Sequence, residues 1–175
     1  MEKTKNKNYV YKGRILNVRS DDVLLDNGKT AKREVVEHNG GCCVLAVTAD
    51  KKIIFVRQYR YAVGEYLLEL PAGKLEKGED PQSAIRRELK EETGYTGDIH
   101  SLGSIYPTCG YSSEIIYLYY ADNLKEGATN PDEDEFLNIE KIDIAEALTY
   151  INSGEIKDAK TIIAVYKYIS FVMEN

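Results

Sequence analysis

The chain has 175 residues, enough for one domain or one domain with a small appendage. Its hydrophobic content of 43% can supply a core, and 30% charged residues is ordinary for a water-soluble protein. A net charge of −6 argues against a general nucleic-acid binder, whose surface is usually basic, and means that a polyanionic ligand needs local Arg, Lys or metal.

Lys3, Lys5 and Lys7 read as a frayed, solubilising start, and no apolar run follows that would serve as a signal peptide. Val10 to Val18 and Val23 to Leu25 read as strands. Asp26-Asn27-Gly28-Lys29 is a hairpin turn into a returning strand from Thr30 to His38. Asn39-Gly40-Gly41 reads as a hinge, so residues 1–40 are expected to form a small N-terminal β-sheet region and 41–175 the main domain. Cys42 to Thr48 is an apolar run of strand length, turned at Ala49 to Lys52 and returned by Ile53 to Val56. Tyr66 to Leu70 is a further strand, ended by Pro71-Ala72-Gly73.

A helix is then expected between Asp80, a good N-cap followed by Pro81, and Gly94, a left-handed stop. Ile99 to Tyr106 and Glu114 to Ala121 read as strands, Asn123 to Asp134 as a polar acidic loop, and Phe136 to Ile142 as a last strand. Ile144 to Ser153 reads as a helix closed by Gly154. Lys157 to Met173 reads as a longer one, with Ile162, Ile163, Val165, Tyr166 and Ile169 as its core stripe. This order of elements indicates an α/β mixture. Cys42 and Cys43 would point to opposite faces of their strand. With Cys109 they make an odd count without metal spacing, which suits free thiols in a reducing compartment, the cytoplasm. No stretch approaches the roughly twenty apolar residues of a membrane span.

The chemistry concentrates between Gly73 and Tyr95. Glu88, Glu91 and Glu92 stand at i, i+3 and i+4, so their carboxylates share one helix face, while Ile85 and Leu89 mark the buried side. Carboxylates so placed repel unless a cation sits among them, and Mg²⁺ prefers a few carboxylates together with substrate phosphates. The alternative is a solvated acidic helix with i,i+4 pairs such as Arg87 with Glu91.

The full pattern resembles the Nudix box, GX5EX7REUXEEXGU with U apolar or aromatic. Gly73, Glu79, Arg87, Glu88, Leu89, Glu91, Glu92, Gly94 and Tyr95 fill every specified position. The resemblance implies an α/β/α sandwich, here with a small extra N-terminal antiparallel sheet, and metal-dependent attack of water on the pyrophosphate of a nucleoside diphosphate linked to another group. Val56-Arg57-Gln58-Tyr59-Arg60, Leu68 to Gly73, Gly110 to Glu114, Asp134-Glu135-Phe136 and Lys157 to Thr161 are similar to bacterial ADP-ribose pyrophosphatases of that family.

This closer resemblance implies ADP-ribose, or another nucleoside diphosphate sugar or dinucleotide, as substrate. It also implies two or three Mg²⁺ or Mn²⁺ ions held by Glu88, Glu91, Glu92 and the Ala72 carbonyl, and a homodimer with exchanged N-terminal sheets. Arg87 is expected to orient the glutamates by ion pairing while pointing away from their ridge, and Glu79 to bind metal through water or hold the loop. Arg57, Arg60, Glu114 and Gly110 are the expected substrate-binding residues. Glu69 either joins them or braces the loop. The general base falls on Glu135, with Glu133 and Asp134 as alternatives. Tyr9 and Tyr11 are candidates for stacking on the base.

Two departures stand out. Glu37 occupies a position usually basic, where it would repel phosphate. Cys109 stands where Pro is usual, and relaxes the loop before Gly110. His38 and His100 read as surface residues. A non-catalytic ligand sensor on the same scaffold would be expected to lack box glutamates. A calcium loop at Asp132 to Glu135 lacks EF-hand spacing.

Overall fold

The computed structural model describes residues 1–129 and 137–173. Its chain contacts divide into two compact units, Met1–Gly40 with Tyr106–Ile115, and Gly41–Ile105 with Ile116–Asn175.

In the first unit, β3 (Leu16–Leu24) is the central strand. It pairs along its whole length with β4 (Thr30–His38) on one edge. Its other edge is shared between β1 (Lys3–Asn6) and β2 (Tyr9–Lys12). The β3–β4 turn forms as its residues require, with Gly28 at φ +80° and its N–H donating to the Leu25 carbonyl. Two expectations are corrected here. The basic start is a strand and not a frayed tail, because β3 offers an open edge whose backbone groups it satisfies. The run from Val10 to Val18 is broken at Gly13, where a Cβ would fall 2.7 Å from the Tyr11 ring. Residues 106–115 join this unit through Val36, whose N–H donates to the Tyr111 carbonyl and whose carbonyl accepts from Ser113.

The second unit is built on a sheet of β5 (Gly41–Val47), β6 (Lys52–Arg60), β7 (Glu65–Glu69), β8 (Ala72–Lys74), β9 (Tyr95–Ile105), β10 (Ile116–Glu126) and β11 (Asn138–Asp143). The main order is β11-β6-β5-β10-β9, with β7 on β6 and β8 on β5. The parallel pair is β5 with β10. β5 is buried throughout, and its alternation feeds two cores. Cys43, Leu45 and Val47 pack with Ala147 of α2 (Ile144–Ser153) and with Ala164 and Val165 of α3 (Ala159–Tyr168). Cys42, Val44 and Ala46 pack on the opposite face with Ala84, Ile85 and Leu89 of α1 (Pro81–Thr93). Helices on both faces of one sheet make the α/β/α sandwich.

Local readings shift at several points. The strand expected from Ile99 begins at Tyr95, directly after the helix stop. Ala72–Lys74, read as a strand end, pairs with β5 as β8. β10 opens at Ile116 and continues through the expected acidic loop to Glu126, by way of an irregularity at Asn123, whose φ is +49°. α3 gives way after Tyr168 to a π-helical turn at Ile169–Met173. Of the expected stripe, Val165 is buried and Ile162, Ile163 and Ile169 pack partly buried against the core, joined by Thr161 and Ala164, while Tyr166 is 44% exposed. Glu133, Asp134, Glu135 and Phe136 lie outside the described residues. No helix among the described residues is long and apolar enough to cross a membrane.

Candidate active site

The box helix forms for local reasons. Asp80 accepts from the Ser83 N–H at 2.8 Å, Pro81 opens the helix, and Gly94 closes it at φ +76° with its N–H on the Lys90 carbonyl. Ala84, Ile85 and Leu89 fix which side faces the sheet. That rotation grades the acidic residues from buried to solvent. Glu92 is 3% exposed, and Glu88 is more covered than Glu91.

Strand β8 runs against the buried end of this ridge. Glu92 Oε2 accepts the Ala72 N–H at 3.1 Å. At Gly73 the backbone comes so close to Glu88 that a Cβ there would fall 2.0 Å from the Glu88 carboxyl carbon. Sequence spacing placed the glutamates on one face, and the structure adds that Ala72 and Gly73 lie beside two of them.

Arg87 corrects one expectation. Its guanidinium does not point away from the ridge but lies among the carboxylates, 2.9 Å from Glu88, 2.9 Å from Glu91 and 3.3 Å from Glu79. Burial works against its charge, but the hydrogen bond to Glu91 and the charges of Glu88 and Glu79 raise its pKa above the ordinary arginine value. Glu91 stands one helical turn on, at the i+4 spacing where side chains meet.

A second cluster surrounds Glu69, at the end of β7. This carboxylate is 1% exposed and takes both inner arms of Arg60, at 2.7 and 2.8 Å, together with the Lys160 ammonium at 2.5 Å. Burial raises its pKa, yet Arg60 and Lys160 prevail and hold it at about 2. Lys160 also pairs with Asp158 at 3.0 Å. Asp158 caps α3 by accepting the Thr161 N–H, and Thr161 Oγ1 accepts from Leu70 N at 2.9 Å. The capping pattern of Asp158 and Thr161 was readable in sequence. The reach of Lys160 to Glu69, 91 residues away, carried no local signal.

Arg57 is engaged by Glu140 at 2.6 Å and Glu155 at 3.0 Å. Gly110 and Glu114 belong to the first unit. Glu114 lies 3.5 Å from His38, which is largely covered and takes the Gly40 N–H on Nδ1, so His38 is no plain surface residue. His100 is exposed and stacks on Tyr120. Glu37 is answered by Arg19 at 2.5 Å, Asn17 at 3.3 Å and the Tyr9 hydroxyl at 3.1 Å. Its partial burial is outweighed by these partners, which lower its pKa, and its repulsion of phosphate is blunted by Arg19.

Two family models cover the chain. The NUDIX domain matches residues 29–163, and the nucleoside diphosphate sugar hydrolase N-terminal domain matches residues 2–36. The chain belongs to the Nudix family. This Nudix hydrolase is 46% identical over 167 residues to a methanol dehydrogenase activator of Bacillus methanolicus, and 41% identical over 167 residues to an ADP-ribose pyrophosphatase of Bacillus subtilis (strain 168). Each alignment covers 94% of this chain and 90% of the relative. It is also 34% identical over 155 residues to a GDP-mannose pyrophosphatase of Shigella flexneri, covering 82% of this chain and 81% of the relative. A crystal structure of an ADP compounds hydrolase superposes with a TM-score of 0.86 at 23% identity, covering 99% of this chain and 95% of that one, and shows the same fold.

Proposed function

We propose that this Nudix hydrolase cleaves the pyrophosphate of ADP-ribose and related ADP-sugars, giving AMP and a sugar phosphate, ribose 5-phosphate from ADP-ribose. The observation that carries it is the close approach of Ala72 and Gly73 to Glu92 and Glu88, inside a box with every position filled. The identity to a protein named for ADP-ribose favours that sugar nucleotide, and the 34% relatives named for GDP-mannose make another nucleoside diphosphate sugar the nearest rival.

The residues present fit divalent cations. The donors are all oxygen, the missing Cβ at Gly73 makes room for the Glu88 carboxylate, and Arg87 already shows that a cation is held among three carboxylates. Glu88, Glu91, Glu92 and the Ala72 carbonyl would hold two or three Mg²⁺ or Mn²⁺ ions. Substrate phosphate oxygens would complete the coordination sphere, as is usual for Mg²⁺ sites built on a few carboxylates. Bound cations neutralise charge on the diphosphate and lower the pKa of a water.

The chain's own residues do the rest. Water attacks one phosphorus and the bond to the bridging oxygen breaks. One phosphate stays on the nucleoside and the other on the sugar. The water's proton passes to a carboxylate, for which Glu135 is our assignment and Glu133 or Asp134 the alternatives. Arg60 offers its outer guanidinium edge to the diphosphate. Arg57 is more fully occupied, by Glu140 and Glu155, and we assign it to joining β6 to β11 and the segment before α3. Gly110 and Glu114 remain our assignment for the terminal ribose.

A homodimer is supported by the uncovered apolar side chains of Val10, Tyr11 and Ile15 in the first unit, which a second copy would bury. A cytoplasmic location is supported by the three free thiols. A second reading, activation of a dehydrogenase, rests on the 46% identity to a protein so named, and a dehydrogenase assay with and without this chain tests it.

The deciding experiment is AMP release from ADP-ribose with Mg²⁺, beside GDP-mannose at equal concentration and the Glu92→Gln variant. Fast release that collapses in the variant is expected. Preference for a substrate without ADP would refute the ADP-sugar assignment.

A further inference from the structure

Successive residues of the strand leading into the box are gripped from two sides. The Pro71 carbonyl accepts from Val44 N, Ala72 donates to Glu92, and Gly73 abuts Glu88. Just before them, Glu69 and Leu70 are held by the first turn of α3 through Lys160 and Thr161. The box helix and α3 come from opposite faces of the sheet and meet on this one segment.

The charges in the α3 grip are unequal in what they can do. A carboxylate as buried as Glu69 must be compensated, and the Arg60 fork alone would suffice. That pairing uses the Nε–Nη2 edge and by itself would be neutral overall. A second cation on the same carboxylate changes this. With Lys160 on Glu69 Oε2, two cations share one carboxylate, so the Arg60–Glu69–Lys160 cluster carries net positive charge. Asp158 takes back only part of the Lys160 charge, because the same carboxylate oxygen also caps α3. Arg60 is 41% exposed while Lys160 is 12% exposed, so the arginine faces solvent and the lysine stands behind it.

We propose that Lys160 is a positioning residue for the diphosphate, holding the Glu69–Arg60 pair in place and leaving the cluster with the net positive charge that binds the anion. It touches Glu69 and not the substrate. The inference rests on the hydrolase reading for the identity of that anion, a diphosphate. A purely mechanical role, fastening α3 to β7, would lower stability and leave anion affinity alone.

The experiment compares wild type, Lys160→Met and Lys160→Arg by calorimetric binding of inorganic pyrophosphate, by KM and kcat for ADP-ribose, and by thermal melting. Lys160→Met is expected to weaken pyrophosphate binding and raise KM about tenfold, the size of one lost charge-assisted contact, with kcat within about threefold. Lys160→Arg is expected to restore both. If Lys160→Met does not fold, Lys160→Gln, which keeps a polar contact without the charge, is expected to show the same loss. Unchanged affinity with a lower melting point overturns the proposal, as does a wild type that binds no pyrophosphate. A wild type that binds pyrophosphate but turns over no nucleoside diphosphate sugar would sink the functional reading, and the binding series would still decide the role of Lys160.

Discussion

Gly73→Ala separates the architecture of the site from the stability of the fold. The added Cβ would lie 2.0 Å from Cδ and Oε1 of Glu88 and 2.3 Å from its Cγ. Carbon contacts settle near 3.5 Å or beyond, so the Glu88 side chain must retreat by about 1.5 Å. It is the end of a flexible side chain, and an off-rotamer position costs about 0.5–1.5 kcal/mol. Gly73 does not have a left-handed φ, so alanine also gains about 0.4–1 kcal/mol by restricting the unfolded chain. The two nearly cancel, and the urea midpoint should move little. Activity should not be spared, because a displacement of about 1 Å in a positioned group costs on the order of 10² in rate. The assay is AMP release at saturating ADP-ribose across a Mg²⁺ titration, beside urea unfolding. A variant with kcat within about threefold of wild type would refute the claim that Gly73 exists to seat Glu88. A variant that loses several kcal/mol of stability would show that the strand, not the carboxylate, had moved.

Three further outcomes are expected. Glu69 has its pKa lowered from 4.5 to about 2 in the folded protein, so its contribution is present above the unfolded value and lost as pH falls through the folded one. The unfolding free energy from urea melts should therefore decline by an amount on the order of 3 kcal/mol between about pH 5 and pH 2, and Glu69→Gln should be less stable at neutral pH with a flatter acid limb; an acid limb of unchanged size would count against it. Gly94→Ala meets an obstacle that cannot swing away, since φ is +76° and the Cβ would lie 2.6 Å from the Gly127 carbonyl oxygen. A loss of about 2 kcal/mol or more is expected by chemical denaturation, and a loss under about 0.5 kcal/mol would contradict it. Arg60→Ala should raise KM for ADP-ribose by about tenfold or more, while Arg57→Ala should mainly lower the melting temperature through loss of Glu140 and Glu155; equal effects on KM would return Arg57 to the binding site.

Sequence alone determined the parts governed by short spacings. The box helix was legible from Asp80, Pro81 and Gly94 because caps are local hydrogen-bond problems with few solutions. The shared face of Glu88, Glu91 and Glu92 followed from helical periodicity, and the opposed faces of Cys42 and Cys43 from the strand period of two. The family followed from nine defined positions in one short window. Tertiary structure decided whatever depended on an edge, a neighbour or a distant partner. Lys3–Asn6 became a strand because β3 had an unpaired edge, and Asn123 to Glu126 stayed in β10 because β9 supplied a ladder beyond the irregularity. Arg87 turned into its carboxylates because three of them converge there in space. Lys160 reached Glu69 only once α3 had packed under the sheet. Attraction between buried charges depends on their separation in space, and that distance exists only in the folded chain.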